Sequence, residues 1–262
     1  MADTRPAFAG IRALVTGGGS GIGLAIARRL AGMGAALTLV GRERGKLEHA
    51  MRNLPGDGHD AMACDIGDPA AVAALFDTLD RHERAPQLLV NNAGFAASAR
   101  VQDTSDALWA ETLRVNLSGV FHCTRAALAS LLGFPFARVV NVASTAGLIG
   151  YPHVAAYCAA KHGVVGFTRA LALELARTHV TVNVVCPGYV DTAIAAEAIA
   201  NVARSTGRSE EKAREALERR NPQRRLIAPE EVAATVAWLC LPESQSINGQ
   251  AISLSGGEVM TG

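Results

Sequence analysis

The sequence predicts an α/β fold: a doubly wound parallel sheet of about seven strands with helices on both faces. Two observations carry this. Short β-rich runs alternate from end to end with amphipathic or apolar stretches of helical length, the signature of parallel strands joined by crossover helices. Several of those runs are continuously apolar, as strands covered on both faces must be.

Taken in order, strands are expected over residues 11–16, 36–41, 59–64, 87–91, 138–143, 181–186 and 251–254. A helix over 21–33 follows the first glycine-rich turn, and Asp68 with Pro69 supplies the cap and first-turn proline of another reaching Arg84. Residues 154–176 have helical character, and Pro229 opens a helix ending near Leu241. Residues 191–226 break the alternation: a long polar insertion with SEEKAREALERR as a charged helix, placed where a mobile lid over a substrate would sit. A static surface helix pair is the alternative reading. Half of the 262 residues are apolar, enough for one large core, so residues 1–262 are read as a single domain carrying 191–226 as an insertion.

Composition narrows the partners. Lysine and arginine total 25 against 24 aspartates and glutamates, so no net field favours nucleic acid or an anionic membrane. The five cysteines form no C-x-x-C pair, which points to buried free thiols rather than a disulfide framework or a metal site. Met1–Arg5 shows no basic segment followed by an apolar run, and no later stretch is apolar enough to span a bilayer. A cytoplasmic protein acting on small molecules is the expectation.

Gly17, Gly21 and Gly23 end a strand and open a helix, so backbone amides and the helix N-terminus can face a pyrophosphate with no side chain in the way. Around them lie Thr16, Gly19, Ser20 and Ile22. The second strand ends with Gly41 where an acidic residue would select NAD, and Arg42 follows it. An anionic 2′-phosphate would meet a cation there, and one charge-assisted hydrogen bond corresponds to a preference of roughly ten- to a hundredfold. NADP(H) is therefore favoured, with NAD(H) as the alternative. Asn92, Ala93 and Gly94 follow Asn91 at the end of the fourth strand, a composition that by itself marks a turn.

Tyr157 and Lys161 stand four residues apart, which places both on one helix face. A tyrosine needs its phenol, near 10 when free, brought toward the working pH to exchange protons readily. A neighbouring ammonium and an oxidised nicotinamide are expected to supply that pull. Ser144 closes a strand at the end where doubly wound sheets bind ligands, so its hydroxyl can stabilise charge developing on a carbonyl oxygen.

The pattern Thr-Gly-x-x-x-Gly-x-Gly, with NNAG, Ser144 and YCAAK in register, resembles the short-chain dehydrogenase/reductase family over essentially the whole chain. That resemblance implies a Rossmann-type fold. It implies that Asp65, beside Ile66, contacts the adenine, and that NNAG lies along the cofactor. It assigns the nicotinamide to Pro187, Gly188, Val190 and Thr192, and gives Lys161 the nicotinamide ribose. Asn116 would join Ser144, Tyr157 and Lys161, holding a helix break and a water that resupplies protons.

The reaction expected is NADP(H)-dependent interconversion of a ketone and a secondary alcohol, without a metal, the substrate being a 3-oxoacyl compound, possibly an acyl thioester, or another apolar ketone. Its pocket is expected to draw on Phe95, Ala96, Ser144, Leu148, His153, Tyr189 and the stretch 193–200, Ala195 and Ile199 above all. The alternatives are an NAD-dependent secondary-alcohol or 3-hydroxyacyl-CoA dehydrogenase and a non-catalytic NADP sensor. Surplus apolar surface on helix 154–176 would favour subunit contacts, and the resemblance implies a homotetramer.

Overall fold

The computed structural model describes residues 6–260, and Met1–Arg5 lies outside the described residues. Seven parallel strands form one sheet in the order β3-β2-β1-β4-β5-β6-β7. They are β1 (Arg12–Thr16), β2 (Ala36–Gly41), β3 (Asp60–Ala63), β4 (Leu88–Asn91), β5 (Ala137–Val142), β6 (Val180–Pro187) and β7 (Ala251–Leu254). Each expected strand is present, with ends shifted by one residue or so. Burial explains the unbroken apolar runs: every residue of β4, β5 and β6 is buried.

One face carries α1 (Gly21–Gly32), α2 (Arg44–Arg52) and α9 (Pro229–Cys240), whose Ile26, Leu30, Leu47 and Val236 pack with Val15, Leu37 and Leu39 of the sheet. The other carries α3 (Pro69–Arg81), α5 (Gly119–Gly133) and α6 (Ala155–Glu174), contributing Leu75, Phe76, Leu131 and Leu171. The Asp68 carboxylate accepts from the Ala70 amide at 2.9 Å, the cap that its place before Pro69 implies. Helix α3 stops short of the expected Arg84. Glu83 takes a left-handed φ of 56°, which lets the Arg84 amide reach back to the Leu79 carbonyl at 2.8 Å. Glutamate gives no sequence signal for that geometry, which glycine would have given.

The chain starts in the middle of the sheet, runs outward through β2 and β3, and returns to place β4 on the other side of β1. The loops leaving β1 and β4 therefore diverge, opening a crevice beyond the carboxyl ends of the strands. The 191–226 insertion folds as α7 (Ala193–Thr206) and α8 (Glu210–Glu218) over a small core of their own. Its two ends meet where the Asp191 amide donates to the Ile227 carbonyl and the Ile227 amide to that of Tyr189, both at 2.9 Å. Among the described residues all five cysteines are buried free thiols, and no helix is long and apolar enough to cross a membrane.

Beneath the crevice runs a buried polar chain. The Asn91 amide donates to Asn141 Oδ1 and to Thr124 Oγ1, and the Asn141 amide to Thr168 Oγ1, each at 2.9 Å. This ties β4 and β5 to α5 and α6, the elements flanking the crevice. Replacing Asn141 with Ala strands a buried donor on Asn91 and removes a partner from Thr168, a loss of about 2–4 kcal/mol. That corresponds to a fall in Tm of roughly 5–12 °C, which scanning calorimetry would show; an unchanged Tm would mean that the network adds nothing to the fold.

Candidate active site

The cradle is built by close approach. Gly17 has φ 67°, and a Cβ there would lie 2.8 Å from Asn92 Nδ2; at Gly23 a Cβ would overlap the Gly17 carbonyl and the Asn92 amide. These positions admit no side chain. Thr16 closes the other side: its Oγ1 accepts from the backbone amides of Asn92 at 2.9 Å and Ala93 at 3.0 Å, while Asn92 Nδ2 donates to the Thr16 carbonyl at 2.9 Å. Helix α1 opens from Ser20 without a side-chain cap and with no acid in its first turn, so its amides face the cleft unopposed.

The cleft is lined in sequence order by Gly17, Gly19, Ser20, Gly21 and Ile22, by Arg42 and Asp65 with Ile66, and by Asn92, Ala93, Gly94 and Phe95. Asn116, Tyr157, Lys161 and Thr192 also line it, whereas Thr16, Ser144, Pro187, Gly188 and Val190 stand behind or beside this wall. Ala193 and Ile194, from the expected 193–200 stretch, line it too, as do Lys46 and Val115, which the sequence reading missed. Lys46 lies in the first turn of α2 and Val115 beside Asn116, so adjacency to the recognised motifs was the one available signal. A pyrophosphate-bearing dinucleotide fits this arrangement: amides and a helix end at the glycines, and exposed Arg42 and Lys46 at the far rim.

At the Asp65 end of the cleft, burial pushes the carboxyl up, but hydrogen bonds from Arg114 and from the Gly67 amide overcome it and hold it below the ordinary range. Arg114 Nη2 stands 2.9 Å from Asp65 Oδ2, and the Gly67 amide 2.9 Å from Oδ1.

Ser144 and Tyr157 meet beyond the end of β5. The Ser144 hydroxyl accepts from the Ala146 amide at 3.1 Å, which occupies the oxygen and leaves its proton free to donate. The turn is pressed against α6, since a Cβ on Gly147 would lie 2.7 Å from the Lys161 carbonyl. Lys161 is 3 % exposed, and its Nζ donates to the Val142 carbonyl at 2.9 Å. Burial pulls its ammonium down to about 8. Burial likewise pushes the Tyr157 phenol up to about 12, with the Ser144 hydroxyl working the other way. The expected downward pull by Lys161 is thus not delivered by the chain itself: Nζ stands 5.6 Å from the ring centre and turns its proton toward a carbonyl.

Asn116 is fully buried in a π-helical turn, Arg114–Ser118, between α4 (Asp106–Leu113) and α5. The expected helix break takes this form. Its Nδ2 donates to the Phe95 carbonyl at 3.0 Å and its Oδ1 accepts from the Phe95 amide at 3.2 Å, so the loop after β4 hangs on this side chain.

The substrate pocket is corrected in part. Ala195 and Ile199 do not face the cleft: they are buried against Ala213, Leu217 and Leu226, where α7 needs its apolar face to hold α8. Tyr189 packs on that cluster, and Leu148 on Val120, Val164 and Val184. His153 is exposed with φ 66° at a separate small crevice, and Ala96 is exposed outside the cleft lining. Pro187 ends β6 paired with Leu254, Gly188 donates to the Leu254 carbonyl, and Val190 is buried, so this segment supports Thr192 from behind. Near Ser144 the reading missed Tyr151, whose hydroxyl bridges Thr145 Oγ1 at 2.9 Å and Glu258 Oε1 at 2.8 Å.

Residues 17–258 match a family model described as enoyl-(acyl carrier protein) reductase. The chain is 40 % identical over 249 residues to the protein named ketoacyl reductase 1 of the granaticin polyketide synthase of Streptomyces violaceoruber, covering 94 % of this chain and 92 % of that one. It is 35 % identical to a D-beta-hydroxybutyrate dehydrogenase of Rhizobium meliloti, with 94 % and 97 % covered. A crystal structure of an actinorhodin polyketide ketoreductase variant with NADPH superposes with a TM-score of 0.91 at 39 % identity, over 95 % of this chain and 97 % of that one.

The lysines are Lys46, Lys161 and Lys212, few enough to resolve by NMR after biosynthetic carbon-13 labelling of lysine. Lys161 should lose its proton near pH 8, well below the 10.4 of a free lysine. A Lys161 signal titrating near the free-lysine value would contradict the burial argument.

Proposed function

The chain belongs to the short-chain dehydrogenase/reductase family, and from that premise we propose that it is an NADP(H)-dependent ketoreductase whose proton donor is Tyr157. The observation that carries the reading is the convergence of a phenol, a free serine proton and a buried ammonium at one end of a dinucleotide cleft. Bound there, NADPH would supply the hydride. The residues that would hold it are the amides of Gly17–Gly23, Arg42 and Lys46 at the 2′-phosphate, Asp65 at the adenine, and Lys161 at the ribose.

Ser144 and Tyr157 act on the oxygen that accumulates charge as hydride arrives at the carbon. With its phenol at about 12, Tyr157 is neutral at pH 7 and carries the proton that reduction consumes. Lys161, at about 8, is still charged at pH 7, and from 5.6 Å off the ring centre its ammonium offers the phenolate left behind a through-space attraction rather than a hydrogen bond. Oxidation of an alcohol would need the phenolate first, whereas the neutral phenol already holds the proton that reduction takes. Asn116 holds the Phe95 backbone and, in this reading, the water that returns the proton.

The two curated relatives are named for one chemistry in its two directions, a ketone and its secondary alcohol. The mostly apolar wall, with Phe95 and Ile194 in it, suits a 3-oxoacyl chain or another apolar ketone. Residues 191–226 act as a lid on a single domain, supported by their separate small core and paired ends. A cytoplasmic homotetramer belongs to the same reading; Phe121, Leu132 and Leu173 expose apolar surface on α5 and α6, and light scattering tests it.

NADPH oxidation is to be followed with 3-oxoacyl thioesters, simple ketones and an enoyl thioester, the last because the family description names that substrate. Ketones should be consumed and the enoyl compound spared. Tyr157→Phe should lower kcat by about 10²- to 10⁴-fold, with NADPH affinity kept within about threefold, since the ring still packs. Near-wild-type turnover in that variant, or consumption of the enoyl thioester alone, would refute the assignment.

A further inference from the structure

Arg114 belongs to no motif, yet it occupies a junction. Its guanidinium grips Glu111 with two parallel hydrogen bonds, from Nε to Oε2 and from Nη2 at 2.9 Å to Oε1, and Nη2 also reaches Asp65 Oδ2 at 2.9 Å. It lies so close over Gly67 that a Cβ there would overlap it. A bidentate arginine is fixed in plane, and glycine is what admits it.

Asp65 faces the cleft with one oxygen taken by the Gly67 amide and the other by Arg114. Each oxygen keeps a further lone pair. An ionised carboxylate is acceptor-only, so it selects a donor: the exocyclic amine of adenine qualifies, and the carbonyl of hypoxanthine at the same ring position does not. Without Arg114, the carboxyl would lose the largest contact that lowers it, and its orientation would be set by the Gly67 amide alone. Val115 and Asn116 follow Arg114 in the same π turn, so one side chain joins the adenine wall to the turn that supports Phe95.

We propose that Arg114 is a positioning residue for base recognition: by clamping Asp65 between Glu111 and the Gly67 turn, it gives the site its preference for adenine over a 6-oxopurine. This rests on the dinucleotide reading above.

The test is the binding, by calorimetry with the full chain, of NADPH and of its reduced hypoxanthine analogue. Wild type should favour NADPH by on the order of tenfold. Arg114→Met should bring that ratio within about threefold, and Arg114→Lys should keep an intermediate ratio. Asp65→Asn should erase or invert the preference, and adding Arg114→Met to it should not change the ratio further. An Arg114→Met variant that keeps the wild-type ratio, or loses affinity equally for both dinucleotides, overturns the proposal, since equal loss is what a merely structural residue would give. If that variant fails to fold, Arg114→Lys decides by the same ratio: a wild-type value overturns the proposal. Failure of wild type to bind either dinucleotide would instead strike the cofactor reading.

Discussion

Everything at the site depends on the divergence between β1 and β4, and Thr16 holds the two departing loops together. Its hydroxyl takes the amides of Asn92 and Ala93 while its carbonyl takes the Asn92 side chain. That brings Asn92 over Gly17 and Gly23, which is why neither position admits a Cβ. The glycines and the asparagine pair are thus two halves of one packing requirement. Below them the Asn91–Asn141–Thr168 chain fixes β4 and β5, and with them the ends from which Phe95 and Ser144 project.

Burial is the second determinant, and it acts in opposite directions on the two titratable groups. It raises the phenol of Tyr157 and lowers the ammonium of Lys161 because each charged form is poorly solvated there. The consequence is a neutral acid beside a cation at pH 7. The ammonium directs its hydrogen bond to the Val142 carbonyl, at 2.9 Å, and not to the phenol oxygen.

Much of this was legible in the sequence because the relevant signals are local. The turn at Gly17–Gly23, the NNAG element and the Tyr157–Lys161 spacing each declare their backbone within a few residues, and the strands announce themselves by unbroken apolar runs. Where the reading failed, the determinant was tertiary. Ala195 and Ile199 stand on an amphipathic helix, and sequence does not say whether its apolar face meets substrate or α8; the partner, Leu217, is 18 or more residues away. Arg114 gave no signal because its partners, Asp65 and Gly67, come from another crossover. The raised phenol was missed because a pairwise expectation of Lys161 beside Tyr157 ignored the desolvation of both.

The most direct test of hydride delivery to a carbonyl carbon is isotopic. With NADPH deuterated at the transferred position of the nicotinamide C4 and a 3-oxoacyl thioester, NMR of the product should show deuterium at the carbinol carbon in one configuration and none elsewhere. Deuterium on a carbon of a reduced C=C bond, or a product without deuterium, would contradict the account.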